Sequence, residues 1–162
     1  MYKYNLIFSG LCEAFLKLSF GLIFFNYGYG KLKSLLTNNS DSLINMVSTI
    51  PIFGTFPYLF SWALALGEIF ILIGLVYGLF NFLPFSNIAT KVAGLISLII
   101  SLVIVYQHIF VWGDNIFLYG PFDILNIEEG KKSIWGQFLF IPLSTYIIFN
   151  SRTNYSLIND TK

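Results

Sequence analysis

The chain has 162 residues, a formal net charge of +1, 56% hydrophobic residues and only 10% charged residues. Soluble domains carry about 25% charged residues, so this composition excludes an ordinary soluble domain and indicates an integral membrane protein. The near-neutral charge provides no attraction for nucleic acid. The single cysteine, Cys12, excludes an internal disulfide and an iron–sulfur or dithiol site built by this chain alone.

The apolar segments predict four membrane-spanning helices, because about 20 apolar residues are needed to cross a hydrocarbon core of about 30 Å. The predicted spans are, in chain order, about 10–30, 58–80, 88–107 and 135–150. We therefore expect an all-α fold, an integral membrane four-helix bundle. It forms a single domain over residues 1–150, followed by a polar C-terminal tail at 151–162.

The connections between the predicted spans differ in kind. The first contains an amphipathic stretch that begins at Ser40 and Asp41, which are helix-capping residue types, and stops at Pro51. We expect a short helix there that lies in the membrane interface. The second connection is short. The third is long and carries the acids Asp114, Asp123, Glu128 and Glu129.

The orientation of the chain rests on a small asymmetry of basic residues. Lys and Arg divide almost evenly between the two predicted sides of the membrane, but the short second connection carries Lys91 and no acid. Cytoplasmic loops are enriched in Lys and Arg. We therefore expect both termini in the cytoplasm and the acidic third connection outside.

Glu68 lies in the middle of the second span, within the segment WALALGEIFILIGL. An ionised acid at the centre of a bilayer costs roughly 2.5 to 3.5 kcal/mol or more, and such residues are candidates for function. Three interpretations stay open: a proton-active or ligand-binding acid, a neutral structural acid, and an acid hydrogen-bonded to another helix. In the first case we expect a protein-lined pocket entered from the side that bears Lys31 and His108.

Two other ionisable residues of the predicted spans have more than one interpretation. His108 ends the third span, and one histidine cannot supply both axial ligands of a b-type haem. We weigh an interfacial polar residue against a hydrogen-bonding or proton-exchanging group in a site shared with Glu68. Lys17 either reaches the interface or pairs with Glu13 one turn earlier. The sequence shows no metal-ligand spacing.

Three glycines of the second span, Gly67, Gly74 and Gly78, lie on much the same helix face. Small residues allow membrane helices to approach closely. We expect these glycines at a helix contact, either inside one bundle or at a dimer seam.

Two segments resemble the DoxX family. LKLSFGLIFFNYGYGKL (residues 16–32) resembles that family's first helix, with a basic residue, a Gly-rich apolar run and then G-x-x-K-L. Residues 50–80 resemble its second signature, a proline-containing entry, a helix bearing an acid and a G-L run. The resemblance covers residues 14–110. The last span resembles the family only in its general character as an apolar helix. The chain departs from the family at 77–80, where relatives often carry a basic residue.

The resemblance implies a multi-pass protein of a prokaryotic plasma (inner) membrane that is linked to oxidoreductase systems. Relatives include small subunits associated with quinol oxidase or thiosulfate:quinone oxidoreductase activity. In one hypothesis the chain helps to form a quinone or small-molecule redox site in such a complex, with polar contacts from Glu68, His108 and Lys31. In the other it is a non-catalytic subunit that packs against a larger membrane complex and stabilises it.

Under both hypotheses we expect no metal and no redox cofactor held by this chain alone, so that it is not catalytic by itself. Quinone is a possible ligand under the first hypothesis. The expected partners are the lipid bilayer and either a larger membrane complex or further copies of the chain, but not nucleic acid.

Overall fold

The structure is a computed structural model that describes residues 2–37, 39–80, 82–112 and 134–150, with side chains from residue 8 in the first helix and from residue 138 in the last. Every regular element within these ranges is helical, and no strand occurs in them. The α-helices are α1 (Tyr2–Leu36), α2 (Asp41–Ser48), α3 (Pro57–Tyr77), α4 (Ser86–Tyr106) and α5 (Ile134–Asn150). The acids of the predicted third connection and the predicted tail at 151–162 lie outside the described residues.

Two short helical segments complete the described chain. A 3-10 turn at Phe53–Thr55 leads into α3, and a π-helical segment at Gln107–Val111 continues α4. Pro57 opens α3, a position where proline is well tolerated because the first N–H groups of a helix have no intrahelical acceptor.

Three helices of the described ranges are long and apolar enough to cross a membrane: Phe8–Leu36 of α1, Pro57–Tyr77, and Ser86–Val111, which joins α4 to the π-helical segment. The all-α prediction is thus confirmed for the described residues, with helices suited to a multi-pass membrane protein. The helix α5 is apolar but has 17 residues, about 26 Å at 1.5 Å per residue. A fourth membrane crossing therefore stays a prediction.

The first helix is longer than its predicted span of about 10–30. It runs from Tyr2 to Leu36, 35 residues, or about 52 Å. The apolar pattern is interrupted at Glu13 and Lys17, but these charges do not end the helix. They pair with each other one turn apart, with Lys17 Nζ 2.6 Å from Glu13 Oε1, and Lys17 is buried.

The short helix α2 forms at the predicted place between α1 and α3. Its buried residues Leu43 and Val47 pack with Leu35 of α1 and Ala65 of α3, so α2 folds back over the ends of these two helices. Ser40 precedes the helix but makes no side-chain capping hydrogen bond. The interfacial location of α2 stays a prediction.

The long helices pack in the order α1, α3, α4 and α5, each against the next, and Phe140 of α5 also contacts Phe20 and Phe24 of α1. The three successive contacts are antiparallel, because residue numbers rise along one helix as they fall along the next. The pairs are Gly21–Leu72 and Gly28–Ala65, Gly67–Ile100 and Gly74–Ala93, and Gly94–Ile147 and Ser97–Ser144. An apolar cluster lies between the helices. It contains Phe20, Phe24, Ile71, Leu75, Ala93, Ile100 and Ile147.

Candidate functional site

The site lies at one of the points where α1 and α3 approach each other closely. A Cβ atom added to Gly28 would lie 2.9 Å from the carbonyl oxygen of Ala65 and 2.9 Å from Glu68 Cβ. The glycine therefore brings the two backbones together at the level of the acid. Lys31, one turn further along α1, reaches Glu68 across this contact.

Lys31 and Glu68 form an ion pair with two hydrogen bonds. Lys31 Nζ lies 2.6 Å from Glu68 Oε1 and 2.6 Å from Glu68 Oε2, so the ammonium donates to both oxygens. Side chains on an α-helix lean toward its N-terminus. Because α1 and α3 are antiparallel, Lys31 leans toward the middle of the helices and Glu68 leans toward Lys31.

The two partners differ in accessibility. The Glu68 side chain is 1% exposed, whereas that of Lys31 is 21% exposed. Tyr27 lies beside the lysine, with its ring centroid 5.6 Å from Lys31 Nζ, within the range of a cation–π contact. The pair is therefore approached past Lys31 and Tyr27, while the acid is enclosed by protein.

Glu68 lies in the middle of α3, a helix long and apolar enough to cross a membrane. It is eleven residues from Pro57, the start of the 21-residue helix α3, which corresponds to about 16 Å along a helix about 31 Å long. A lone ionised acid at that depth is costly. The ammonium of Lys31 offsets the charge of Glu68 and donates a hydrogen bond to each of its oxygens. This arrangement corresponds to the third interpretation of Glu68, an acid hydrogen-bonded to another helix.

His108 lies elsewhere, in the π-helical segment that follows α4. Its ring is 2% exposed and packs edge-on against Trp112, with ring centroids 4.6 Å apart. Gly67, the neighbour of Glu68 in α3, lies against Ile100, and His108 is eight residues further along, about 12 Å. The structure thus joins Lys31 to Glu68 and places His108 at a separate site.

The sequence interpretation missed Gln107, the residue before His108. It is 2% exposed, and its Nε2 donates to Thr49 Oγ1 at 2.6 Å and to Met46 O at 3.4 Å, which ties the π-helical segment to the end of α2. Its Oε1 is buried without a hydrogen-bond partner in the described part of the chain. An amide within an otherwise apolar run is the signal that could have identified this residue.

A cavity of about 210 Å³ lies near this region, between α3, α4 and the segment after α2. It is almost wholly apolar. Its lining includes Val47, Phe53, Phe60, Leu64, Gly67 and Val103. Gly67 opens onto this cavity, while Glu68 contacts α1 on another side of α3, so the cavity and the ion pair are distinct features.

The three glycines predicted at a helix contact lie against α4 of the same chain. A Cβ added to Gly74 would come within 2.9 Å of Ala93 Cβ, and one added to Gly78 would overlap the hydroxyl of Thr90. Gly67 is less tightly packed, with Ile96 at 3.5 Å from such an atom. Gly74 and Gly78 thus allow α3 and α4 to approach closely.

The described residues contain no group of three or more His, Cys, Asp or Glu side chains that could hold a metal ion. In comparisons with known proteins, no family model, no curated protein and no solved structure matches the chain.

Proposed function

We propose that this chain is a DoxX-like membrane subunit of, or accessory to, a quinone-linked oxidoreductase complex in a prokaryotic plasma membrane. In this proposal α1, α3, α4 and α5 form a four-helix membrane bundle, α2 lies in the interface and both termini are cytoplasmic. The observation that carries the proposal is the Lys31–Glu68 pair, because ionisable residues inside membrane spans mark ligand and proton pathways.

The chemistry of the pair suits a quinone. An ammonium has three N–H donors, and two of those of Lys31 form hydrogen bonds to the oxygens of Glu68. The remaining donor, on the exposed side of the pair, can bind a quinone carbonyl oxygen, with the ring of Tyr27 beside it. Reduction of a quinone to a quinol consumes two electrons and two protons, and Glu68 can take up protons from water and pass them to the bound quinone one at a time. The electrons come from a redox group held by another subunit.

The test is purification of the tagged full-length chain from its native membranes in mild detergent. The proposal expects redox subunits and quinone to copurify with the wild-type chain. Lys31→Met should lose the quinone and keep the subunits, whereas Lys17→Met, at the lysine that pairs with Glu13, should keep both. A preparation with neither redox subunits nor quinone contradicts the proposal.

A non-catalytic structural role is the second candidate. It is favoured by the same contact, since both oxygens of Glu68 are already engaged by Lys31 and the pair links α1 to α3. In that case Glu68→Gln supports full activity of the complex, because the amide still accepts a hydrogen bond from Lys31. Glu68→Leu then harms only the assembly of the complex.

A further inference from the structure

The cavity between α3, α4 and the segment after α2 is elongated along the helices. On α3 its lining residues range from Phe60 to Gly67, and on α4 they range from Ile96 to Val103. Seven residues of helix correspond to about 10 Å. Phe60 is three residues from the start of α3 at Pro57, and Gly67 is at the middle of that helix. The cavity therefore extends from near one end of α3 to its middle.

The cavity is covered at one end and open on one side. Near the start of α3 it is lined by the buried residues Val47 and Ile50 and by Phe53, whose ring centroid lies 4.7 Å from that of Phe60. Of the other lining residues, Ala63 of α3 and Ile99 of α4 are exposed, so the cavity opens between these two helices. A molecule therefore enters it sideways, from the surroundings of the helices.

The chemistry of the lining limits what can fill the cavity. All lining residues in the described part of the chain are apolar, so a water molecule there would lack hydrogen-bond partners. An empty cavity would deprive the lining atoms of packing contacts, and close-packed interiors contain few large voids. The volume of about 210 Å³ exceeds the roughly 150 Å³ of an apolar cavity that binds benzene. The cavity thus has the size and the surface to hold hydrocarbon.

We infer that this cavity binds one acyl chain of a membrane phospholipid. A lipid chain runs alongside membrane helices through one leaflet, about half of a hydrocarbon core of about 30 Å. The cavity follows the same course, from near the start of α3 to its middle, and opens toward the hydrocarbon. With no polar group in its described lining, it holds the chain while the headgroup stays outside. The inference rests on the membrane location within the proposed function and not on the quinone site.

Photo-crosslinking in phosphatidylglycerol vesicles tests the site, with a fraction of the lipid carrying a diazirine in one acyl chain. Ile100 lines the cavity and is only 7% exposed, so lipid around the outer surface of the helices has little access to it. Ile71 is the matched control, an isoleucine of α3 that is fully buried in the apolar cluster. Labelling should be at least about five times stronger at Ile100, because close packing leaves no room for a chain at Ile71. Equal labelling of the two, or labelling confined to exposed residues, overturns the inference.

Filling the cavity with a side chain tests the occupant. A Cβ at Gly67 would lie 3.5 Å from its nearest neighbour, an ordinary contact, so the side chain of Gly67→Leu can extend into the cavity. It should lower the labelling of Ile100 about fivefold or more, since two groups cannot share one close-packed volume. Gly30→Leu is the matched control, because nothing lies within 4 Å of a Cβ at that position, and it should leave the labelling unchanged.

Ala63→Leu, at the open side, should have the same effect as Gly67→Leu, and it decides the matter where Gly67→Leu fails to fold. Unchanged labelling of Ile100 in the folded variants overturns the inference. A chain that inserts into the vesicles without labelling at Ile100 overturns the lipid site alone and leaves the proposed quinone site standing. A chain that does not insert overturns the membrane location, and with it both proposals.

Discussion

The ammonium of Lys31 lies 2.6 Å from each carboxylate oxygen of Glu68, and 37 residues separate the two in the chain. This contact joins α1 to α3 and places opposite charges where an unpaired charge is costly. It follows from one close approach of the two backbones at Gly28.

Removing one partner of the ion pair should lower the free energy of unfolding more than removing both. Glu68→Leu leaves the Lys31 ammonium without its counter-charge, and breaking a buried pair in this way costs about 3 kcal/mol or more. The partial exposure of Lys31 places the expected loss at the low end of that range. The double variant that combines Lys31→Met with Glu68→Leu should have a free energy of unfolding within about 1 kcal/mol of the wild type, because apolar replacements leave no buried charge.

Unfolding of the three proteins in the same detergent, followed by circular dichroism, measures these differences. If the double variant is as unstable as Glu68→Leu, the pair does not account for the stability of the α1–α3 contact.

The approach of α1 to α3 should depend on the absence of a side chain at Gly28. Gly28→Ala places a methyl group 2.9 Å from the backbone oxygen of Ala65, which cannot move as a side chain can, and should destabilise the fold by about 1–3 kcal/mol. Gly30→Ala is the control, because nothing lies within 4 Å of a Cβ at that position. It should be neutral or slightly stabilising, since alanine favours the helix over glycine. Equal thermal stability of the two variants would argue against the packing described here.

Substitutions at Gln107 and Thr49 should also affect stability unequally, with a larger loss when a buried polar group is left without its partner. Thr49→Val removes the better acceptor of Gln107 Nε2 and should destabilise the fold by about 1 kcal/mol, because a buried donor loses its partner. Gln107→Leu should destabilise the fold less than Thr49→Val, since it also removes the buried Oε1 that has no partner in the described residues. The double variant should then be close to wild type in denaturation experiments. A larger loss for Gln107→Leu than for Thr49→Val contradicts this account.

A double-mutant cycle isolates the polar contact between α4 and α5. Ser97 Oγ donates to Ser144 Oγ at 2.8 Å between fully buried positions. Ser97→Ala and Ser144→Ala should each destabilise the fold slightly, with a coupling of about 0.6 kcal/mol, the usual size for such bonds in membranes. Gly94 O within α4 also lies 2.8 Å from Ser97 Oγ and is an alternative acceptor for its single hydroxyl proton, so the cycle, rather than either single variant, gives the interhelical term. A coupling of zero would show that this bond does not link the helices.

Much of the helical framework could be predicted from apolar run length. The spans predicted at about 58–80 and 88–107 correspond to α3 (Pro57–Tyr77) and α4 (Ser86–Tyr106). The prediction for α1 gave only an apolar segment long enough to cross a membrane, about 10–30, whereas the helix continues on both sides of it, from Tyr2 to Leu36. The structure shows that Glu13 and Lys17 pair inside the helix, so the charges are offset without ending it.

The candidate site could be predicted only as a set of residue types. Lys31 and Glu68 stand out in the sequence as ionisable groups near apolar runs, but nothing in a single sequence fixes the register of α1 against α3. That register depends on packing at Gly28, a contact between distant parts of the chain. Gln107 was missed for the same reason, since its partner Thr49 lies 58 residues away in the chain.

The most direct test of the proposed function is the quinone-dependent turnover of the native complex carrying Glu68→Gln. Glu13→Gln is the matched control, because it makes the same chemical change in a second acid–lysine pair, Glu13–Lys17, which lies within α1. If Glu68 serves a quinone site, Glu68→Gln should lower turnover at least tenfold while the complex assembles in normal amounts, and Glu13→Gln should retain most of the activity. Full turnover with Glu68→Gln contradicts the proposed function and leaves the ion pair a structural link between α1 and α3.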